Sequence, residues 1–533
     1  MKGDAWMKKL LFLLFTAVLV LAACSSKDVS EEKPTADVEV NKEGFPIVDE
    51  EIKLTLMAPG AGMAEWKDMP TLQDYAEKTN INFKYITPPM SDFQTKLNLA
   101  FASGDIPDII YAAGTSNLTA GMEVDYGKQG ELVPLEDLIA EYAPNIQKIL
   151  DENPEIKKSI TTVDGHIYSL PAINIHPTSG WYLGPMWYNG KWLDALGVEE
   201  LPKTTDELYD LLVRFKTEDP NGNGKADEIP LVDVKESYIR PWMLGAFGLK
   251  EWGIDEVDGK VRYTPITDNY KEYLTFMNKL YEEELLDPES FSQSGEQVAA
   301  KGQANRLGLF QSYFSYFTTG GTEEEAMNNP MYYPLTSSVS DKTVIPRSPG
   351  IQRGTFSITS NNKNPEASIR WVDYFYSKEG REYLNDGPEG YLWEEGEKGK
   401  RKYLEVPEGF DNREDYRGTL TPAYAIAAPT VTDRIEGVEL TEFDKFIEAE
   451  TKAKIDPYAE VPIPLLYLTS EEQATVNTIE VDLKSYVEQM EAKFITGVEP
   501  LSNWDKYVKT IEDMNIEQYV QVYQDAYDRW KDS

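Results

Sequence analysis

The sequence predicts an α/β protein built in two lobes. Three observations carry that reading. The chain has 533 residues, too many for one small core, and 41% of them are apolar and 12% aromatic, as in globular proteins. The first folded stretch alternates strand and helix patterns, which is how a parallel sheet is built. A second run of strand and helix signals follows a Gly/Pro-punctuated stretch near residue 170.

In chain order, Ile52–Met57 alternates apolar and polar residues as a strand does, and Ala58-Pro59-Gly60-Ala61-Gly62 breaks it. Thr71–Lys78 reads as a helix, Ile81–Ile86 as the next strand. Ser91 is placed to cap a helix carrying Phe93, Leu97, Leu99 and Phe101; Asp105-Ile106-Pro107 stops it, and Asp108–Tyr111 is a third strand. Ligands bind beyond the carboxyl ends of such strands, where Trp66, Tyr111 and Gly114 stand; burial or a turn is the alternative reading of each. Met186–Asn189 opens the second unit as an extended run, and a short helix ends at Gly197. Thr204 and Glu207 form a capping-box pattern, followed by Leu208, Leu211, Leu212 and Phe215 on one helical face. Tyr270–Leu285 is amphipathic, Leu307–Phe310 and Thr355–Thr359 are strands, and Asn364-Pro365-Glu366 starts a helix. Two helices, Thr469–Phe494 and Trp504–Trp530, close the chain.

Between the Thr204 helix and the extended Ile229–Val232 lies Asp219–Glu228. Asp219, Asn221 and Asn223 are spaced two apart, Gly224 is sixth and Lys225 seventh, where a calcium loop needs a sharp turn and a backbone carbonyl. The twelfth position is Pro230, which cannot supply the bidentate acid of an EF-hand; the acids come early, as Asp227 and Glu228. The spacing predicts a structural Ca²⁺ site. The alternative is an Asn-Gly turn held by its own side chains.

Charge and composition exclude several classes. A net charge of −40 offers no basic face for nucleic acid. Two histidines, His166 and His176, leave little for histidine-based zinc or serine-triad chemistry. One cysteine excludes intramolecular disulfides. That cysteine follows Lys8-Lys9 and the apolar run Leu10–Ala23, which is too short to span a bilayer and has the character of a signal h-region. Met7 is an alternative start. Leu21-Ala22-Ala23-Cys24 resembles the bacterial lipobox, which implies cleavage before Cys24 and lipidation of its sulfur. Losing residues 1–23 removes two net positive charges and leaves the mature chain more acidic still. Residues 24–47 read as a flexible acidic tether.

Ile106-Pro107-Asp108, Ile167–Pro171, Tyr188-Asn189, Pro202-Lys203-Thr204, the Asp219–Glu228 loop, Asn364-Pro365-Glu366-Ala367, Tyr376–Gly380 and Gly387-Pro388-Glu389-Gly390 occur here in an order of their own. Their succession resembles the family 1 extracellular solute-binding lipoproteins of carbohydrate ABC importers in Gram-positive bacteria. It is also similar to the alginate-binding periplasmic proteins. The resemblance implies a type II two-lobed fold with a hinge, the first lobe spanning 48–172 and 331–395, the second 173–330 and 396–533. It implies calcium held by Asp219, Asn221, Asn223, Asp227 and Glu228 through side chains and by Lys225 through its carbonyl. It implies an oligosaccharide in the interlobe cleft, with Trp66, Trp181, Trp187, Trp242, Tyr313, Tyr316 and Trp393 as aromatic candidates and Arg353 and Glu389 as polar ones. The expected partners are an ABC importer permease and the membrane, through the lipid anchor, for an extracytoplasmic protein that is monomeric and not an enzyme. Alginate is polyanionic and this chain strongly acidic, so a neutral oligosaccharide is the expected ligand. Two rivals remain: a surface-anchored polysaccharide-processing enzyme using paired carboxylates, and a binder of peptides or of a sensor partner. No Gly-x-Ser-x-Gly, His-Glu-x-x-His or phosphate-cradling glycine motif is present.

Overall fold

The strand Ile52–Met57 buries Leu54, Leu56 and Met57 and is the axis of the first lobe. In the computed structural model, which describes residues 38–235, 237–397, 400–410 and 413–532, the chain divides into Met1–Val40 and the compact unit Asn41–Ser533. The signal h-region, Cys24 and most of the expected tether lie outside the described residues. Among the described residues no helix is long and apolar enough to cross a membrane.

Helix Pro70–Thr79 starts with proline in its first turn, where no N–H is needed, and stops at Asn80, whose φ of 60° turns the chain left-handed. It delivers Ile81–Ile86 into parallel pairing with Ile52–Met57, Ile52 opposite Ile81. Helix Phe93–Ser103 ends at Gly104 and leads to Ile109–Tyr111 on the other side of the first strand. Ser91 does not cap that helix; it lies in the tight turn Met90–Asp92 ahead of it. Ile351–Ile358 then inserts antiparallel between Ile109–Tyr111 and Leu170–Asn174, and Val431–Thr432 pairs in parallel with Leu170–Asn174. The six-stranded sheet is therefore mixed, because strands remote in the chain complete what the local strand–helix repeat begins.

The second lobe rests on a three-stranded sheet, Met186–Tyr188, Leu307–Gln311 and Ile229–Leu231, the middle strand antiparallel to the first and parallel to the last. Helices Thr205–Thr217, Asp268–Glu282, Ser470–Ile495, Trp504–Asp513 and Ile516–Asp532 share one core with it, through Phe215, Tyr273, Phe494, Trp504 and Tyr519. Thr204 caps its helix by accepting from the Glu207 N–H at 3.2 Å, but the Glu207 carboxylate reaches past Thr204 to the Lys203 N–H at 2.7 Å. Thr469 and Glu472 make both arms of a capping box. The expected last helix is two, broken where Asn515 takes a φ of 63°.

The packing redraws the expected boundaries. Ile47 and Val48 are fully buried and Arg370 donates to the Lys42 carbonyl at 3.1 Å, so the folded part starts near Asn41, inside the stretch read as tether. Met331, Tyr332, Leu335 and Ile345 belong to the second-lobe core, although 331–395 was assigned to the first lobe. Val431–Thr432 joins the first-lobe sheet, although 396–533 was assigned to the second. These memberships depend on pairings across hundreds of residues, which local patterning does not encode.

Candidate functional site

Three strand edges of the second lobe converge. Leu307–Gln311 ends into Ser312–Phe317, Ile229–Leu231 ends into Val232–Arg240, and the antiparallel Met186–Tyr188 begins there, fed by Trp181–Pro185. One of the segments that pass between the lobes leads directly into Trp181–Pro185, and another brings Arg347 against Gly180. Asn174 N–H donates to Gly350 O at 2.7 Å and Ile175 N–H to Thr432 O at 2.9 Å, so all three crossings touch at one place. That is the geometry of a hinge.

The run Ser312–Phe317 forms an aromatic platform on this edge. The Trp181 ring lies 5.2 Å from Tyr313 and 5.9 Å from Phe314, and its indole N–H donates to Thr451 Oγ1 at 3.1 Å. Phe314 stacks on Tyr316 at 5.7 Å, Tyr316 meets Phe317 at 4.7 Å, and Phe443 closes the group from below at 5.3 Å. Trp181 and Phe443 are buried, whereas Tyr313 is 48% exposed and Phe317 57%. Such a surface offers a fixed apolar face together with a phenol hydroxyl. Phe314 and Phe317 were not among the expected residues, though the same Ser312–Phe317 run announced them.

The other candidates are not brought to this platform as open surface. Trp187 is fully buried, donating to Ser312 O at 2.9 Å, and holds the platform from beneath. Trp242 is a core residue of the same lobe. Trp66, buried in the first lobe, donates to Ala61 O at 3.0 Å and packs edge-on against Tyr111 at 5.7 Å, so it shapes the loop after Ile52–Met57. Arg353 is buried too. Its guanidinium donates to Leu466 O at 3.1 Å and lies 4.0 Å over Tyr467, whose hydroxyl donates to Glu123 at 2.7 Å. Burial pushes the Glu123 carboxyl upward. This network pins the segment before Ser470–Ile495 onto the first lobe. Trp393, half-buried with Arg401 3.9 Å over its face, and Glu389, accepting from the Glu395 N–H at 2.8 Å, build the hairpin Trp393–Glu395 with Arg401–Tyr403.

The Asp219–Glu228 loop winds tightly, with positive φ at Asp219, Gly222 and Gly224. Asp219 Oδ1 accepts from Asn223 N–H at 3.1 Å and Oδ2 from Gly224 N–H at 3.0 Å; Asn223 Oδ1 accepts from Lys225 N–H at 2.8 Å. Asp227 Oδ1 accepts from the amides of Asn221 and Asn223 at 3.2 and 2.9 Å. Glu228 Oε1 is buried without a hydrogen-bond partner, and burial, with Asp219 and Asp227 nearby, pushes its carboxyl upward. Among the described residues no cluster of three His, Cys, Asp or Glu side chains forms a metal site of its own. The loop's oxygens are shared between carboxylates, asparagines and the backbone, and an orphaned carboxylate oxygen beside two others is what a cation would satisfy.

With this geometry in hand, comparison with known proteins defines the class. The bacterial extracellular solute-binding protein family matches residues 60–382, and the chain belongs to that family. It is 29% identical over 551 residues, 97% of each chain, to the fructooligosaccharide ABC transporter substrate-binding protein FusA of Streptococcus pneumoniae. It is 23% identical, over 99% of this chain and 100% of the other, to the polygalacturonan/rhamnogalacturonan-binding protein YtcQ of Bacillus subtilis. The structure of FusA in complex with kestose superposes with a TM-score of 0.74 at 29% identity, over 90% of this chain and 99% of that one. An EF-hand mutant of FusA with fructo-nystose gives 0.73 at 28% identity over the same shares.

Proposed function

We propose that this chain captures a neutral oligosaccharide between its lobes and delivers it to the permease of an ABC importer. The observation that carries the reading is the exposed Tyr313–Phe317 platform, seated on buried Trp181 a few residues after the first crossing. Sugar rings present apolar CH faces to such rings, and their hydroxyls need a few polar groups nearby. The full-length similarity to oligosaccharide-binding relatives supports the same reading. A net charge of −40 disfavours polyanionic sugars. Closure about the crossings would sequester the ligand. Cys24 is the proposed lipid attachment, holding the protein outside the membrane as a monomer. The Asp219–Glu228 loop is proposed to hold Ca²⁺, through the side chains of Asp219, Asn221, Asn223, Asp227 and Glu228 and the Lys225 carbonyl. The ion would fix the join between helix Thr205–Thr217 and strand Ile229–Leu231 and take no part in capture.

The test is a thermal-shift and calorimetric screen of residues 38–533 in calcium buffer against neutral oligosaccharides, polygalacturonan fragments and peptides. A neutral oligosaccharide should raise the melting temperature, and Tyr313→Ala should weaken its binding about tenfold with the fold intact. Stabilisation by peptides alone, or breakdown of the sugar, would overturn the reading.

A further inference from the structure

A cavity of about 550 Å³ lies in the second lobe, between the hairpin Ile254–Tyr263 and the helices Ser470–Ile495 and Ile516–Asp532. Small-ligand pockets usually span roughly 300–1,000 Å³. Five rings wall it: Tyr182, Trp252, Tyr263, Tyr519 and Tyr523. The tyrosines brace one another, Tyr263 edge-on to Tyr519 at 6.2 Å and Tyr519 5.1 Å from Tyr523. Glu251, Glu480 and Glu488 contribute carboxylates and Lys484 an ammonium. Arg240 is already engaged, lying 4.5 Å over Trp252 and pairing with Glu491 at 3.3 Å.

This lining selects a chemistry. The carboxylates repel an anion, and a wholly apolar ligand would strip them of water without replacing its hydrogen bonds. A polyhydroxyl compound satisfies both sides, its CH faces on the rings and its hydroxyls donating to the carboxylates. The position matters as well. Tyr182 directly follows Trp181, the base of the platform, and Arg240 opens the helix Arg240–Leu244 that follows strand Ile229–Leu231. Helix Ser470–Ile495 starts on the first lobe, where Ser470 Oγ donates to Asp125 at 2.7 Å, and ends in the second-lobe core at Phe494. Glu480, Lys484 and Glu488 occupy the stretch between. The cavity and the platform are thus joined through the consecutive residues Trp181 and Tyr182, the first under Tyr313 and the second in the cavity wall.

We infer that this cavity is a second sugar subsite, taking the units of an oligosaccharide that extend beyond the Tyr313 platform and so setting the preferred chain length. The inference rests on the function proposed above. Calorimetry with graded fructooligosaccharides, from kestose upward, and graded maltooligosaccharides tests it. In the unaltered chain the Kd should fall about tenfold along the series that binds, as expected for one added aromatic contact. Tyr523→Ala should abolish that gain and leave the shortest ligand's Kd unchanged. Glu488→Gln, at an exposed position on its helix, should reduce the gain with the melting temperature unaltered. Tyr313→Ala should instead weaken every length alike. Affinity independent of length in the unaltered chain, or cavity variants that weaken all lengths equally, would overturn the subsite while leaving the capture reading in place. Binding of neither series would overturn both.

Discussion

At the scale of single residues, the side chains that look most like ligand contacts in the sequence mostly hold structure. Trp187 and Trp242 are core, and the terminal guanidinium nitrogens of Arg353 donate to backbone carbonyls. Asp373 is the clearest case of a charge placed for architecture. Buried, it accepts from Asn145 Nδ2 at 2.7 Å and Ile146 N–H at 2.9 Å, capping helix Pro144–Glu152 from a distant helix. Desolvation raises its carboxyl from 3.8 to about 6. The folded state therefore binds the proton more tightly than the unfolded state. Its stabilising contribution is complete below pH 3.8 and is lost as pH rises through about 6. Comparing urea unfolding of the wild type with Asp373→Asn between pH 4 and 7 should show the wild type losing roughly 2–3 kcal/mol relative to the variant. A difference that is flat with pH would place the desolvation elsewhere.

At the scale of elements, the Asp219–Glu228 loop is the piece whose chemistry is most legible in the sequence. Its oxygen spacing is local, and the backbone obeys it, with Asp219 and Asn223 gathering the N–H groups of the turn. A folded-state-only ion stabilises by mass action, about 2.7 kcal/mol at a hundredfold excess over Kd. Chelation should accordingly lower the melting temperature, and the double variant Asp219→Ala, Asn223→Ala should melt at one temperature with or without calcium. A wild type that contains no metal and ignores chelator would leave the loop as a turn. Helix ends were in part readable, because caps act within four residues: Thr204 caps as its pattern predicts, whereas Ser91 does not. The Glu207 arm was misjudged by a single residue, since the Lys203 N–H lies within its reach and the Thr204 N–H is not the one it takes.

At the scale of the whole molecule, the first-lobe sheet is completed by strands that arrive late. Ile351–Ile358 sits between strands that precede it by some two hundred residues, and Val431–Thr432 closes the same sheet. The stretch before the first strand is likewise part of the fold. A chain beginning at residue 49 should be less stable than one beginning at 41, because it loses the buried Ile47 and Val48 and the carbonyls that Arg370 bonds. Burial of two such side chains contributes about 3–6 kcal/mol at most. Equal denaturant midpoints for the two chains would show that this stretch packs without consequence.

The sequence by itself determined the α/β class, the opening strand–helix–strand–helix–strand run, the acidic character that excludes nucleic acid, and the candidate calcium loop. Each of these depends on neighbours within a few turns, where side-chain periodicity and turn chemistry act directly. Only the tertiary structure decided which aromatic rings face solvent, where the lobes exchange segments, and that Trp181 and Tyr313 come together. Those outcomes depend on contacts between residues more than a hundred positions apart. A buried tryptophan and a ligand platform read identically in one dimension, and only the packing of the rest of the chain separates them.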